Sequence, residues 1–201
     1  MNDLYKYAIV LTGGISTGKS TVSKLLEKEG FNIIDADKIA HGILDFNAEG
    51  IATLFGSEHI KEGQVDRKSL GAIIFKEPKN REKLENFLHP LIKEEIENQS
   101  RVFEKHMMPY FIDIPLFFET KNYDIDEVAL VYAPLKTQRA RLMQRDGFSV
   151  EEANNRINAQ ISIELKKSQS SFVIDNSQDM KHLEKEVEKF ITYIRSKHAN
   201  Q

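Results

Sequence analysis

Within Tyr7–Leu26 an unbroken apolar run, a glycine turn and an amphipathic helix follow one another, and few folds accept that succession. Residues 7–12 read Tyr-Ala-Ile-Val-Leu-Thr, without the polar alternation of a half-exposed strand. Such a run suits a strand covered on both faces. Gly13-Gly14-Ile15-Ser16-Thr17-Gly18-Lys19-Ser20 then fits the Gly-x4-Gly-Lys-Ser pattern of a phosphate-binding loop. Val22, Leu25 and Leu26 mark the apolar stripe of the helix behind it. Glycines let the backbone turn so that successive N–H groups point inward at phosphate oxygens. A helix starting near Lys19 adds its positive dipole end. The lysine brings a point charge to the β- and γ-phosphates, and the Ser20 hydroxyl is a ligand for Mg²⁺. The plain alternative is a glycine turn that happens to feed a helix. Spacing, position and context together favour binding of a nucleoside triphosphate.

Four further apolar runs follow, at residues 31–35, 110–114, 127–133 and 171–175, with helical patterns between them. That rhythm is strand–helix–strand, so an α/β fold with a five-stranded, mostly parallel sheet is expected. The stretch from Lys38 to Pro109 is far longer than one crossover helix needs. Leu84, Phe87, Leu88, Leu91, Ile92 and Ile96 recur there at helix spacing, and Pro90 predicts a kink or break near His89. This stretch reads as an inserted helical lobe. A second excursion follows the fourth run. Gly147 ends one helix there, and Ser149 with Glu152 forms a capping box for the next. The chain is therefore expected to be one domain over 1–201. Its core takes residues 1–37, 110–135 and 170–201, its lobe about 38–109, and a small helical hairpin about 136–165.

Composition removes several classes. A net charge of −3 and a pI near 6.1 lack the basic excess of a nucleic-acid binder. The absence of cysteine excludes disulfides, a thiol nucleophile and a Cys-ligated zinc. No apolar run approaches the ~18 residues of a membrane span. The expectation is a cytoplasmic enzyme without a nucleic-acid, membrane or obligate protein partner.

What receives the phosphoryl group is a separate question. A GTPase would carry Asn-Lys-x-Asp, which does not occur. A small-molecule kinase needs a carboxylate near the γ-phosphate and a cationic lid. "IIDADKIAH" offers Asp35 and Asp37 at the end of the second run. Strand ends in an open parallel sheet gather around the ligand crevice, so these carboxylates are expected to face the loop. Otherwise both serve as turn or N-cap aspartates. Arg141 and Arg145 are four apart on one helix, with Arg139 and Arg156 nearby, and can clamp triphosphate oxygens. The alternative for them is a solvated basic face with Asp146 as partner. Asp113 and Glu119 in "DIPLFFE" either approach Mg²⁺, Asp113 through water, or are structural. His89 fits a contact to the kink or the acceptor better than acid–base chemistry.

"LTGGISTGKST", "IIDADKIAH", "FLHPLI", "IPLFFE", "RLMQRD" and "VIDNS" occur in this order, and together they resemble the dephospho-coenzyme A kinase family from about Ile9 to the C-terminal helix. The resemblance implies a three-layer P-loop kinase core with a helical acceptor-binding lobe and a helical lid. It implies transfer of the ATP γ-phosphoryl to the ribose 3′-hydroxyl of dephospho-CoA, with Mg²⁺, as the last step of coenzyme A synthesis. Asp37 is then the residue that activates or orients that hydroxyl, with His41, His89, Pro115 and Leu116 as further acceptor contacts. Gly13, Gly14, Ile15, Ser16, Thr17, Gly18, Lys19, Ser20 and Thr21 hold ATP together with Arg141, Arg145 and Asn176. Asn176 falls where such kinases hold the adenine, and Asp35 or Asp113 reaches the metal through water. One departure stands out. The family commonly has Gly-Ser before Gly18, whereas this chain has Ser16-Thr17, and serine carries a cost if position 16 needs positive φ. Two rivals remain open at this point: a kinase of the same architecture acting on a nucleoside monophosphate, shikimate or gluconate, and a regulatory nucleotide switch.

Overall fold

The computed structural model describes residues 3–120 and 122–198. In chain order its elements are β1 (Ala8–Gly13), α1 (Lys19–Lys28), β2 (Ile33–Asp35), α2 (Ala36–Phe46), α3 (Ala48–Phe55), β3 (Ile60–Lys61), β4 (Gln64–Val65), α4 (Arg67–Lys76) and α5 (Pro78–Glu104). They continue with β5 (Tyr110–Asp113), α6 (Phe117–Thr120), β6 (Val128–Tyr132), α7 (Leu135–Asp146), α8 (Val150–Asn158), α9 (Ile163–Ser168), β7 (Phe172–Asp175) and α10 (Met180–His198). The chain divides into two compact units, one of Met1–Ile34 with Ser100–Gln201 and one of Asp35–Gln99.

All five apolar runs form strands of one parallel sheet, ordered β2-β5-β1-β6-β7. The α/β expectation holds. β1 lies at the centre, with Ala8 opposite Tyr110 on one side and Val10 opposite Val128 on the other. Successive strands are laid to either side of β1, so its C-terminal end is the switch point where such sheets bind ligands. Every residue of β1 is buried, which explains the missing polar alternation. Ile9 and Leu11 enter a cluster with Val22 and Leu26 of α1 and with Leu183, Val187, Phe190 and Ile194 of α10. Burying each such side chain contributes about 1.5–3 kcal/mol. That packing fixes α1 at the end of β1, and the loop between them is held at both ends.

The Asp35–Gln99 unit has its own small core, in which Ile51, Val65 and Leu70 are buried against Leu44, Phe55, Leu84 and Phe87. Two features there differ from the sequence reading. β3 and β4 form a hairpin that the helical pattern did not announce. Its turn residues Glu62 and Gly63 have φ of 51° and 78°, the double positive φ of a tight hairpin turn. The second concerns Pro90, where a kink or a break is expected: the break is absent, and α5 runs through the proline. Proline deprives the Asn86 carbonyl of its intrahelical donor. Asn86, His89 and Pro90 are all exposed, so water can take that carbonyl and the helix continues.

The expected punctuation after β6 is present. Gly147 ends α7 in the left-handed region at φ 71°. Ser149 accepts from the Glu152 N–H, and the Glu152 carboxylate accepts from the Ser149 N–H at 2.8 Å. That second bond holds the Glu152 carboxyl below its usual range.

Candidate functional site

The glycine turn opens at the switch-point end of β1, and its conformation is over-determined. Gly18 has φ 93°, and a Cβ there would lie 2.1 Å from Asn176 Nδ2. A Cβ on Gly13 would meet Thr17 Oγ1 at 2.6 Å. The Thr17 hydroxyl donates to the Gly14 carbonyl at 2.9 Å, closing the turn on itself. Three of the loop's carbonyls, those of Gly13, Gly14 and Thr17, have a side-chain donor. Thr17 O accepts from Asn176 Nδ2 at 2.8 Å, with Arg141 Nη1 at 3.5 Å. Gly13 O accepts from Lys166 Nζ at 3.4 Å. A peptide's N–H and C=O point oppositely across one plane, so the Thr17 carbonyl held by Asn176 leaves the Gly18 N–H on the opposite side, beside the first N–H groups of α1. That is the geometry of an anion nest.

Lys19 and Ser20 are the first two residues of α1. The Lys19 ammonium pairs with Asp113 at the end of β5, and Ser23 Oγ lies 3.0 Å from the other Asp113 oxygen. A cation and a carboxylate thus share the mouth of the loop, and the Ser20 hydroxyl is exposed beside them. Ser20 and Asp113 are hard oxygen donors of the kind Mg²⁺ takes. It usually adds substrate phosphates and water to one or two protein ligands, so a dedicated cage is not required.

Position 16 does adopt positive φ, at 57°. The Ser16 hydroxyl is shielded from solvent and has no hydrogen-bond partner among the described residues. A non-glycine residue in this region costs roughly 1–2 kcal/mol, partly offset by the backbone entropy glycine loses. Ser16→Gly is therefore expected to raise the melting temperature by ~1–3 °C, whereas Ser16→Ala, which keeps the strain, should not. Calorimetric melts of the two variants check this. A rise with alanine and none with glycine would place the cost in the hydroxyl instead.

Arg141 and Arg145 part company. Arg141 reaches the loop, adding a 3.5 Å contact to Asn176 Oδ1. Arg145 makes two 2.8 Å bonds to Asp146, and its side chain is 61% exposed. Arg139 contacts Asn154 at 3.4 Å and ties α7 to α8, while Arg156 of α8 lies over Phe148 of the connection between them, 4.3 Å from the ring centre. Asn176 is buried, its N–H on the Tyr132 carbonyl and its amide against the loop. It is the residue expected to meet adenine, and its side-chain amide braces the loop. The Pro115 carbonyl accepts from Thr12 Oγ1 at 3.2 Å, and Leu116 is exposed.

Two polar braces carry no signature in the motif. Gln160 Oε1 accepts from the Ile15 N–H at 2.9 Å. Gln138 is buried on the Ala133 carbonyl at 2.8 Å, with its Oε1 2.9 Å from where a Gly14 Cβ would stand. Glu119 faces Lys166 at 2.7 Å.

In the other compact unit, Asp35 caps α2. Its carboxylate accepts from the Lys38 N–H at 2.9 Å and pairs with the Lys38 ammonium at 3.3 Å. Asp37, in the first turn of α2, is exposed, as are His41 and His89. Of the two aspartates, Asp35 has the capping task and Asp37 presents its carboxylate to solvent.

Among the described residues no helix is long and apolar enough to cross a membrane. A sequence model of the dephospho-CoA kinase family matches residues 7–182. The dephospho-CoA kinase of Sulfurimonas denitrificans is 48% identical over 197 residues, covering 98% of each chain. That of Helicobacter pylori strain J99 is 46% identical over 191 residues, 94% of this chain and 97% of the relative. The solved dephospho-CoA kinase from Campylobacter jejuni superposes with a TM-score of 0.71 at 36% identity, over 94% of this chain and 97% of that one.

Proposed function

Because this chain belongs to the dephospho-CoA kinase family, we propose that it transfers the γ-phosphoryl of ATP to the ribose 3′-hydroxyl of dephospho-CoA, giving coenzyme A and ADP as the final step of coenzyme A biosynthesis. What carries the ATP half is the loop from Gly13 to Ser20, whose Gly13 and Thr17 carbonyls are held by Lys166 and Asn176 and whose Gly14 carbonyl is held by Thr17 within the loop. The acceptor half rests on the near-full-length likeness to kinases of that name.

Phosphoryl transfer through a loose transition state leaves little covalent work for the protein, so its residues position and neutralise. The loop amides and the α1 dipole hold the β- and γ-phosphates. Lys19, exchanging its Asp113 partner for phosphate oxygen, supplies the point charge. Arg141 adds charge stabilisation from α7. Asp37 accepts or orients the 3′-hydroxyl proton as oxygen attacks phosphorus and the bond to the bridging oxygen breaks. His41, His89, Pro115 and Leu116 contact the acceptor, and Arg145 joins the nucleotide contacts when it leaves Asp146. Ser20, with Asp113 through water, would hold Mg²⁺, which when bound neutralises charge on the phosphate oxygens. Residues 38–109 act as the acceptor lobe and 136–165 as the lid over the 1–37, 110–135 and 170–201 core. The enzyme works in the cytoplasm, where ATP and Mg²⁺ are available, without an obligate protein partner.

Phosphorus NMR of the product tests the reading. One new phosphomonoester on the 3′-oxygen, in step with ADP release, is expected. ADP release without that resonance, or phosphorylation elsewhere on the acceptor, overturns it.

A further inference from the structure

Lys166 is the one lysine among the described residues that is completely buried, and nothing in the phosphoryl-transfer chemistry calls for it. Burying an ammonium is costly unless paired, and a buried ion pair is weak evidence of a stabilising role. What the pair touches is informative. Lys166 Nζ meets Glu119 Oε1 at 2.7 Å and the Gly13 carbonyl at 3.4 Å. Glu119 Oε1 also accepts from the Ile161 N–H at 3.1 Å.

The neighbours of Lys166 reach the same few loop residues. Gln160 Oε1 takes the Ile15 N–H. A Cβ on Gly14 would come within 3.3 Å of Ile163 Cδ1. Residues 160–166 thus meet three consecutive loop positions, 13, 14 and 15. Tyr132 ties α9 back to the sheet through a 2.8 Å bond to Glu164, and that carboxylate raises the Tyr132 hydroxyl pKa to about 12. It therefore stays a donor at physiological pH.

We propose that Lys166 is a positioning residue for ATP binding: its buried ammonium, neutralised by Glu119, holds the Gly13 carbonyl where β1 gives way to the loop and so fixes the base from which the phosphate-binding turn starts. Glycine at both 13 and 14 gives the backbone at the end of β1 an alternative conformation in which the loop would leave the strand in another direction. A donor fixed in the core removes that alternative. The role rests on the ATP-binding half of the proposed function and not on the identity of the acceptor.

Equilibrium titration of Mg-ATP by calorimetry, beside thermal melts, tests this on Lys166→Met, Glu119→Gln and the Lys166→Met/Glu119→Met double variant. Exchanging both members for apolar residues of similar volume often preserves or raises stability. The double variant should melt above Lys166→Met, and below the parent because the Ile161 N–H loses its acceptor, yet bind ATP ~10–100-fold more weakly than the parent, the usual scale for groups that orient binding residues. Glu119→Gln lowers the melting temperature but leaves a nitrogen donor at Gly13, so its ATP affinity stays near that of the parent. Parent-like affinity in the double variant overturns the proposal. So does a loss in Glu119→Gln equal to that in Lys166→Met, which also covers a double variant that does not fold. Acceptor is absent from the titration, so a wrong acceptor leaves the result untouched.

Discussion

Lys19→Ala is expected to lower kcat/KM for ATP by ~10²–10³-fold, the scale on which a preorganised charge at the developing oxyanion is worth. The ammonium sits at the first turn of α1 and already faces a carboxylate, so its charge is held in place before nucleotide arrives. Its side chain is 19% exposed and that of Asp113 8%, which keeps solvent screening low. Truncation also leaves the Asp113 carboxylate without its ammonium and next to incoming phosphates, so repulsion adds to the lost attraction. Lys19→Arg, which keeps charge but not the compact point geometry, should recover only part of the rate. Steady-state kinetics with ATP varied check both. A loss of less than a few-fold in Lys19→Ala would mean that the loop amides and dipole suffice alone.

Asp37→Asn is expected to reduce kcat by ~100-fold or more while leaving the KM for ATP unchanged. The substitution is isosteric at an exposed position in the first turn of α2, so the fold should be intact. The loop residues belong to the other compact unit. Asp35→Asn is the matching control. Its cap to the Lys38 N–H survives as an amide oxygen, and kcat should barely move. Equal losses in the two variants would point to a shared structural effect on α2. Near-normal turnover by Asp37→Asn would take that residue out of the chemistry.

The strands were legible because each buried run is continuous and short, as Ala8–Gly13 and Val128–Tyr132 show. Local chemistry was legible too. The positive φ at Gly18 and Gly147 and the Ser149–Glu152 capping box depend only on neighbours in sequence. What stayed hidden depends on partners far along the chain. Lys166 lies 153 residues from the carbonyl it serves, and Gln160 lies 145 from its amide. On paper Lys166 belongs to an ordinary "ELKKS" helix, and no periodicity marks a lysine that turns into the core. Arg141 and Arg145 share a helical spacing, yet one has the Thr17 carbonyl within reach and the other has Asp146 beside it. Spacing fixes a face but not the partner waiting there. At Pro90 a break, one of the two expected outcomes, does not occur, since a local rule about prolines says nothing of whether the freed carbonyl lies in water.

The most direct test of the account is the initial rate of Mg-ATP-dependent ADP release with dephospho-CoA as acceptor, against AMP, shikimate and gluconate at equal concentration. The account predicts turnover with dephospho-CoA and only background with the other three. Turnover with one of those three and none with dephospho-CoA would leave the nucleotide loop standing and contradict the assigned reaction.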